Sequence, residues 1–145
     1  MIKVICLGKI KEKYINDLIQ DYKERINKYH KLEIIELKDT NDLAAEKEDI
    51  FKNIGNQDYV IALDIDGINV DSISFAQKID TTFLTNSTIT FIIGSSFGLH
   101  EDVKKRANYR LSFSKMTFPH GLFRGILLEQ IYRAFKILNN ETYHK

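Results

Sequence analysis

Pro119 stands directly before His120, and Arg124 lies five residues beyond the proline, in the run Phe113-Ser-Lys-Met-Thr-Phe-Pro-His-Gly-Leu-Phe-Arg124. Titratable and ring-bearing side chains crowd a loop that feeds a helix, which is where α/β proteins aim chemical groups from a rigid scaffold. The chain's single proline locks its own φ and holds Phe118 extended, so His120 leaves the loop in a set direction. At a helix start the positive end of the dipole favours a neutral imidazole, able to accept a proton or hydrogen-bond a base edge. A histidine that caps the helix without chemical duty suits the position at least as well. Arg124, one helical turn on, shares the face of His120 and could clamp a phosphate or carboxylate; a salt bridge to Glu129 or another acid would occupy it instead.

Two other segments carry groups suited to a ligand. In Leu63-Asp-Ile-Asp-Gly67 a pair of carboxylates two residues apart could meet a metal, but no third ligand is near, and a turn with acidic caps explains them better. In Ile93-Gly-Ser-Ser-Phe-Gly-Leu99 glycines follow a strand, letting a ligand approach backbone amides; a tight turn that needs Gly94 and Gly98 explains them equally. The spacing is neither a Walker loop nor a dinucleotide fingerprint. His30 and His100 read as surface residues, His144 lies with Tyr143 in a tail that frays unless docked, and no Cys/His spacing suits zinc, so no metal is expected.

The elements that must hold these groups alternate. Strands are predicted over Ile2–Leu7, Leu32–Leu37, Tyr59–Leu63, Thr88–Ile93 and Tyr109–Phe113. Helices are predicted from Lys11 to Tyr29, over a short stretch with Ile50, Phe51 and Ile54 after a polar loop 39–49, from a Ser72 cap to about Leu84, near Glu101–Asn108, and from about Leu122 to Leu138. The order predicts an α/β fold, a parallel sheet with helices on both faces, as one domain spanning 1–145. Ligands of such sheets lie beyond the carboxyl ends of the strands, where all three segments fall.

No apolar run approaches the ~20 residues of a membrane span, and the first residues read as a strand rather than a leader. Cys6 is alone in an apolar strand, a buried thiol rather than half of a disulfide, which fits a reducing cytoplasm. The net charge of +1 hides a segregation: residues 1–31 carry +4, residues 32–102 carry −10 and residues 103–145 carry +7. If the two basic ends meet in the fold they make one positive face suited to phosphates, although uneven scatter of surface charge gives the same numbers. A protein that grips naked RNA by charge alone would be more basic.

The segments Ile-Lys-Val-Ile-Cys-Leu-Gly-Lys-Ile-Lys-Glu-Lys-Tyr at the start, Leu-Ser-Phe-Ser-Lys-Met-Thr-Phe-Pro-His, Glu129-Gln-Ile-Tyr-Arg-Ala-Phe and Tyr143-His-Lys resemble the ribosomal RNA large subunit methyltransferase H family, over essentially the whole chain. The resemblance implies a SPOUT-class enzyme with a C-terminal trefoil knot, S-adenosylmethionine as cofactor, and methylation of N3 of a pseudouridine in helix 69 of 23S rRNA on the ribosome. It also implies a homodimer with composite sites, in which both C-terminal regions take part. Carried over residue by residue, the cofactor side comprises Leu63, Gly94, Phe113, Ser114, Lys115, Met116, Thr117 and Phe118. The substrate side comprises His120, Arg124, Tyr143 and His144.

Two positions depart from the family pattern. Ser95 replaces a second glycine, which matters if that backbone needs a positive φ, and Gly121 replaces a glutamine after Pro-His, which should loosen the helix start. They leave open an alternative, a non-catalytic nucleotide-ligand or RNA-binding module on the same sheet.

Overall fold

The computed structural model describes residues 1–145. Five strands form one wholly parallel sheet: β1 (Ile2–Leu7), β2 (Leu32–Leu37), β3 (Tyr59–Asn69), β4 (Ile89–Ile93) and β5 (Tyr109–Ser112), in the spatial order β2-β1-β4-β3-β5. Five helices follow the strands in turn: α1 (Lys13–Asn27), α2 (Leu43–Lys52), α3 (Ser72–Phe83), α4 (Glu101–Arg106) and α5 (His120–Leu138). Side chains alternate along each strand, so the sheet has two buried faces. Ile2, Val4 and Cys6 of β1, with Phe91 of β4, join the larger core under α1, α3 and α5; Ile5 and Ile92 join the smaller one under α2 and α4. The parallel α/β architecture expected from the element order is the one observed.

Four departures from the sequence reading are local. Asp64–Gly67 does not end β3: the strand runs on to Asn69 and pairs β5 again at Ile68, with 64–67 looped out between. Asp64 Oδ1 accepts the Asp66 N–H at 3.1 Å, and a Cβ on Gly67 would sit 2.7 Å from the Arg110 carbonyl oxygen, so a turn is built inside the strand. Helix α2 starts at Leu43, inside the segment read as a polar loop, because Asp42 caps the N–H groups of Ala44 and Ala45; Glu48 and Lys52 are exposed, whereas Glu46 is buried. Helix α5 starts at His120, with the first helical bond from Phe123 N–H to the Pro119 carbonyl. At Gly121 the methyl ends of Ile10 and Ile15 lie 3.0–3.6 Å from where a Cβ would stand, so the helix start packs closely there. The cap of α3 is Asp71, one residue before Ser72.

The two basic ends do meet. Helix α5 packs against α1, closely enough that a Cβ on Gly125 would lie 2.8 Å from Leu18 Cδ2. The tail is docked rather than frayed, since Glu141 accepts from Tyr29 (2.7 Å) and Lys136 (2.9 Å). No helix is long and apolar enough to cross a membrane.

His30 is a structural residue, not a surface one. Its ring stacks on Phe83 (centroids 4.2 Å apart) and on Phe135 (5.6 Å), so it fills a slot between aromatic rings. Burial, reinforced by the Met1 ammonium, holds its pKa below the ordinary 6.5. Above that pH both folded and unfolded rings are neutral. Below it the unfolded ring takes a proton that the folded ring resists, so stability is lost as pH falls from 6.5 towards the depressed folded value. Denaturant midpoints measured from about pH 7.5 to 5 should therefore decline less steeply for His30→Phe than for the wild type. Parallel declines would sink this assignment.

Candidate active site

Beyond the carboxyl ends of β3, β4 and β5 lies a cleft of about 310 Å3, a size that suits a small-molecule ligand. Three chain segments wall it: the end of β3 with its looped-out turn, the glycine loop after β4, and the loop that joins β5 to α5. These are the three segments singled out from the sequence.

The glycine loop is a closed turn. Gly94 is required for space, because a Cβ there would lie 2.6 Å from the Gly98 carbonyl oxygen. Gly98 is required for conformation, with φ +80°. Ser95 is outside the left-handed region, so the serine causes no backbone strain. Its side chain is tied within the chain: Oγ donates to Glu46 Oε1 at 3.1 Å and accepts the Phe97 N–H at 3.3 Å. Glu46 is 2% exposed, and its other oxygen accepts the Thr40 N–H at 3.0 Å. A buried carboxylate thereby ties the loop to the start of α2, a bond that glycine at position 95 could not make.

The loop from β5 to α5 is anchored at its aromatic ends. Phe113 packs edge-on against Phe75 and Phe123, and Phe118 stacks on Phe123 at 5.9 Å. Between them Ser114 Oγ accepts the Met116 N–H at 3.0 Å, and the Met116 side chain is exposed at the rim. Of the residues expected on the cofactor side, Leu63, Gly94, Phe113, Ser114, Met116, Thr117 and Phe118 line the cleft, whereas Lys115 is exposed and does not. His120 also lines the cleft; it is exposed, makes no capping bond, and the N-cap is Pro119.

The other substrate-side candidates lie elsewhere. Arg124 is 3% exposed and donates to Glu36 Oε2 at 2.6 Å and to the Gly8 carbonyl at 3.2 Å, tying α5 to the ends of β1 and β2. It is neither on the cleft nor paired with Glu129. His100 caps α4 by accepting the Asp102 N–H at 3.0 Å. Tyr143 and His144 gather around Arg133, which the sequence reading did not single out. The Arg133 guanidinium lies 4.8 Å from the Tyr143 ring centroid, its Nη1 is 3.1 Å from His144 Nδ1, and its Nε donates to Glu129. Burial, helped by Tyr22, pushes the Tyr143 hydroxyl pKa up, so it stays protonated. The i, i+4 spacing of Glu129 and Arg133 was the available signal, but it also describes any solvated helix pair. His144 lines a second cavity of about 470 Å3 with Val70, Phe113, Ile126 and Gln130 among others; Phe113 is the wall shared with the cleft.

A family model described as "Predicted SPOUT methyltransferase" matches residues 1–144. The chain belongs to the SPOUT methyltransferase family. Curated relatives named "Ribosomal RNA large subunit methyltransferase H" include one from Clostridium botulinum (strain 657 / Type Ba4), 52% identical over 157 aligned positions that cover 99% of each chain. A "Ribosomal RNA large subunit methyltransferase H 1" from Clostridium perfringens (strain SM101 / Type A) is 50% identical with the same coverage. Among solved structures, a probable methylase family protein from Haemophilus influenzae Rd KW20 superposes with TM-score 0.60 at 15% identity, over 99% of this chain and 70% of that one. The SpoU methyltransferase AviRb from Streptomyces viridochromogenes superposes with TM-score 0.52 at 12% identity, over 98% and 62%. At such identities the two structures speak for the fold alone, and it is the fold of this SPOUT family member.

The site suits a nucleoside-like methyl donor in two respects. Apolar walls from Leu63, Phe113 and Phe118 alternate with a few polar groups, and one buried acceptor, Asp64 Oδ2, has no hydrogen-bond partner within the chain. No group of three His, Cys, Asp or Glu side chains is placed to hold a metal ion.

Proposed function

We propose that this chain methylates large-subunit ribosomal RNA, using S-adenosylmethionine held in the strand-end cleft. The target we propose is N3 of a pseudouridine in helix 69 of 23S rRNA, presented by an assembled ribosome in the cytoplasm. The observation that carries the reading is the convergence of Leu63, Gly94 and the Phe113–Phe118 loop on one cleft with His120 at its edge. Full-length likeness to relatives named as large-subunit rRNA methyltransferases supports the substrate class.

S-adenosylmethionine supplies an intrinsically electrophilic methyl group, so the chain's own work is positioning and the handling of one proton. Leu63, Gly94 and Phe113–Phe118 bind and orient the cofactor, with Lys115 at the rim. His120 takes a hydrogen bond, or the proton, from N3–H of the target base. Arg133, Tyr143 and His144 position the nucleotide, with the guanidinium free to meet a phosphate once it leaves Glu129. Arg124 acts on the substrate side only indirectly, by fixing the helix whose first residue is His120.

Within one chain His120 and His144 open onto different cavities. A homodimer in which the tail of one copy reaches the cleft of the other unites them, and we include that assembly, with a knotted C-terminal half, in the proposal. The basic segments brought together by α1 and α5 supply a phosphate-facing surface, while the modest overall charge leaves much of the recognition to ribosome shape.

The test is tritiated methyl transfer to 70S ribosomes, 50S subunits and naked 23S RNA from cells lacking the activity. Transfer to the ribosome is expected, and His120→Ala should lower turnover by about 100-fold or more with cofactor affinity unchanged. Full turnover in that variant removes His120 from the proposal; no binding of S-adenosylmethionine at high micromolar concentration favours the non-catalytic module.

A further inference from the structure

Asp64 is the one buried side-chain carboxylate of the cleft, and only its Oδ1 is used by the turn that holds it. Its side chain is 5% exposed, Oδ1 accepts the backbone N–H of Asp66, and Oδ2 is buried without a hydrogen-bond partner. A buried acceptor without a hydrogen bond carries a desolvation cost that ion pairing at longer range offsets only in part, so its persistence calls for an explanation. Lys104 Nζ stands 3.7 Å and Arg110 Nη1 3.5 Å from Oδ2. Both cations stand within ion-pair range of the carboxylate, yet neither closes a hydrogen bond on it. The looped-out turn 64–67 is what brings the group to the ligand space: it breaks the β3–β5 ladder just after Leu63 and is held by Gly67 against Arg110.

We propose that Asp64 Oδ2 binds the nucleoside half of the cofactor, accepting a hydrogen bond from a neutral donor, either a ribose hydroxyl or the adenine amine. The inference rests on the cofactor reading above and adds to it a residue and a chemistry. The two cations beside Oδ2 decide between the ends of the ligand. A methionine ammonium would have to enter against Lys104 Nζ and Arg110 Nη1, which already face that oxygen, whereas a neutral hydroxyl or amine would not. The acceptor also lies directly after Leu63, which pairs with the last residue of β4, so it sits on the side of the sheet where nucleoside ligands of α/β folds meet acidic side chains.

The experiment is calorimetric binding to the full chain, which needs no turnover. S-adenosylhomocysteine serves as the whole ligand and 5′-methylthioadenosine as the nucleoside half without the amino-acid end. Asp64→Ala should weaken both by a similar factor, roughly 10- to 100-fold, and Asp64→Asn, whose amide oxygen still accepts, by a few-fold. The 2′,3′-dideoxy and 6-desamino forms of 5′-methylthioadenosine then identify the donor, because the form that lacks it should lose no further affinity in Asp64→Asn. Thermal unfolding of each variant separates lost binding from lost folding, and the near-isosteric Asp64→Asn carries the test if Asp64→Ala does not fold.

Unchanged affinity in folded variants overturns the proposal while leaving the cofactor reading intact. So does a loss confined to S-adenosylhomocysteine, or a wild-type chain that ignores 5′-methylthioadenosine. A wild-type chain that binds neither ligand overturns both.

Discussion

Gly94→Ala should fold and yet bind S-adenosylmethionine about 100-fold or more weakly, because the loop that walls the cleft must open to admit one methyl group. The added Cβ would lie 2.6 Å from the Gly98 carbonyl oxygen and 2.7 Å from its carbon, with Leu99 Cγ at 3.0 Å. A backbone carbonyl cannot rotate aside as a side-chain methyl would. The loop is also pinned from behind, by the Gly98 N–H bond to the Ser95 carbonyl at 2.9 Å and by the Ser95 bond to Glu46. The strain therefore moves forward into the ligand space, at a stability cost of about 1–3 kcal/mol typical of overpacking. Gly98→Ala is the contrast. Nothing lies within 4 Å of its Cβ position, but φ is +80°, so it should lose about 1–2 kcal/mol of stability to backbone strain with a smaller effect on affinity. Calorimetry of both variants, with thermal unfolding beside it, checks the pair; wild-type affinity in Gly94→Ala would refute the steric account.

Arg124→Ala should destabilise the chain by about 3 kcal/mol, because it removes a buried guanidinium that serves two partners at once. Glu36 and the Gly8 carbonyl lie at the ends of adjacent strands, and Arg124 reaches both from the second turn of α5. Gly8 adopts φ +90°, a conformation glycine tolerates, on the way to presenting that carbonyl. Arg124→Lys should recover little, since one ammonium cannot span the two acceptors in the plane that the fork allows. Glu36→Gln should be milder, because that side chain is 38% exposed and can turn to water. Chemical denaturation reads all three. A loss below about 1 kcal/mol in Arg124→Ala would show that the ion pair only offsets its own desolvation.

The contrast between these residues explains what could be read in advance. Both ends of β1 and β2 matched the sequence reading residue for residue, because β-branched runs bounded by charge and glycine report burial along the chain itself. The location of the cleft was legible for the same reason: in a parallel sheet Leu63 pairs with Ile93 and Leu111, so Leu63, Gly94 and Phe113 share one edge, although β3 itself resumes beyond it. The length of α2 was missed because a lone Asp42 cap outweighed a polar composition.

The amino-acid sequence by itself determined the order of elements, the parallel sheet, the family, and the three segments that surround the ligand space. These follow from periodicity and local backbone chemistry, which act over a few residues. Tertiary structure alone decided that Arg124 meets Glu36 rather than the cleft, that His30 lies between Phe83 and Phe135, that Arg133 joins Tyr143 and His144, and that Asp64 is left with an open acceptor. Most of these pairings join groups far apart along the chain, 88 residues in the case of Glu36 and Arg124. A charge or a ring carries no local mark of the partner it will meet, so its role is settled only when packing brings the two together.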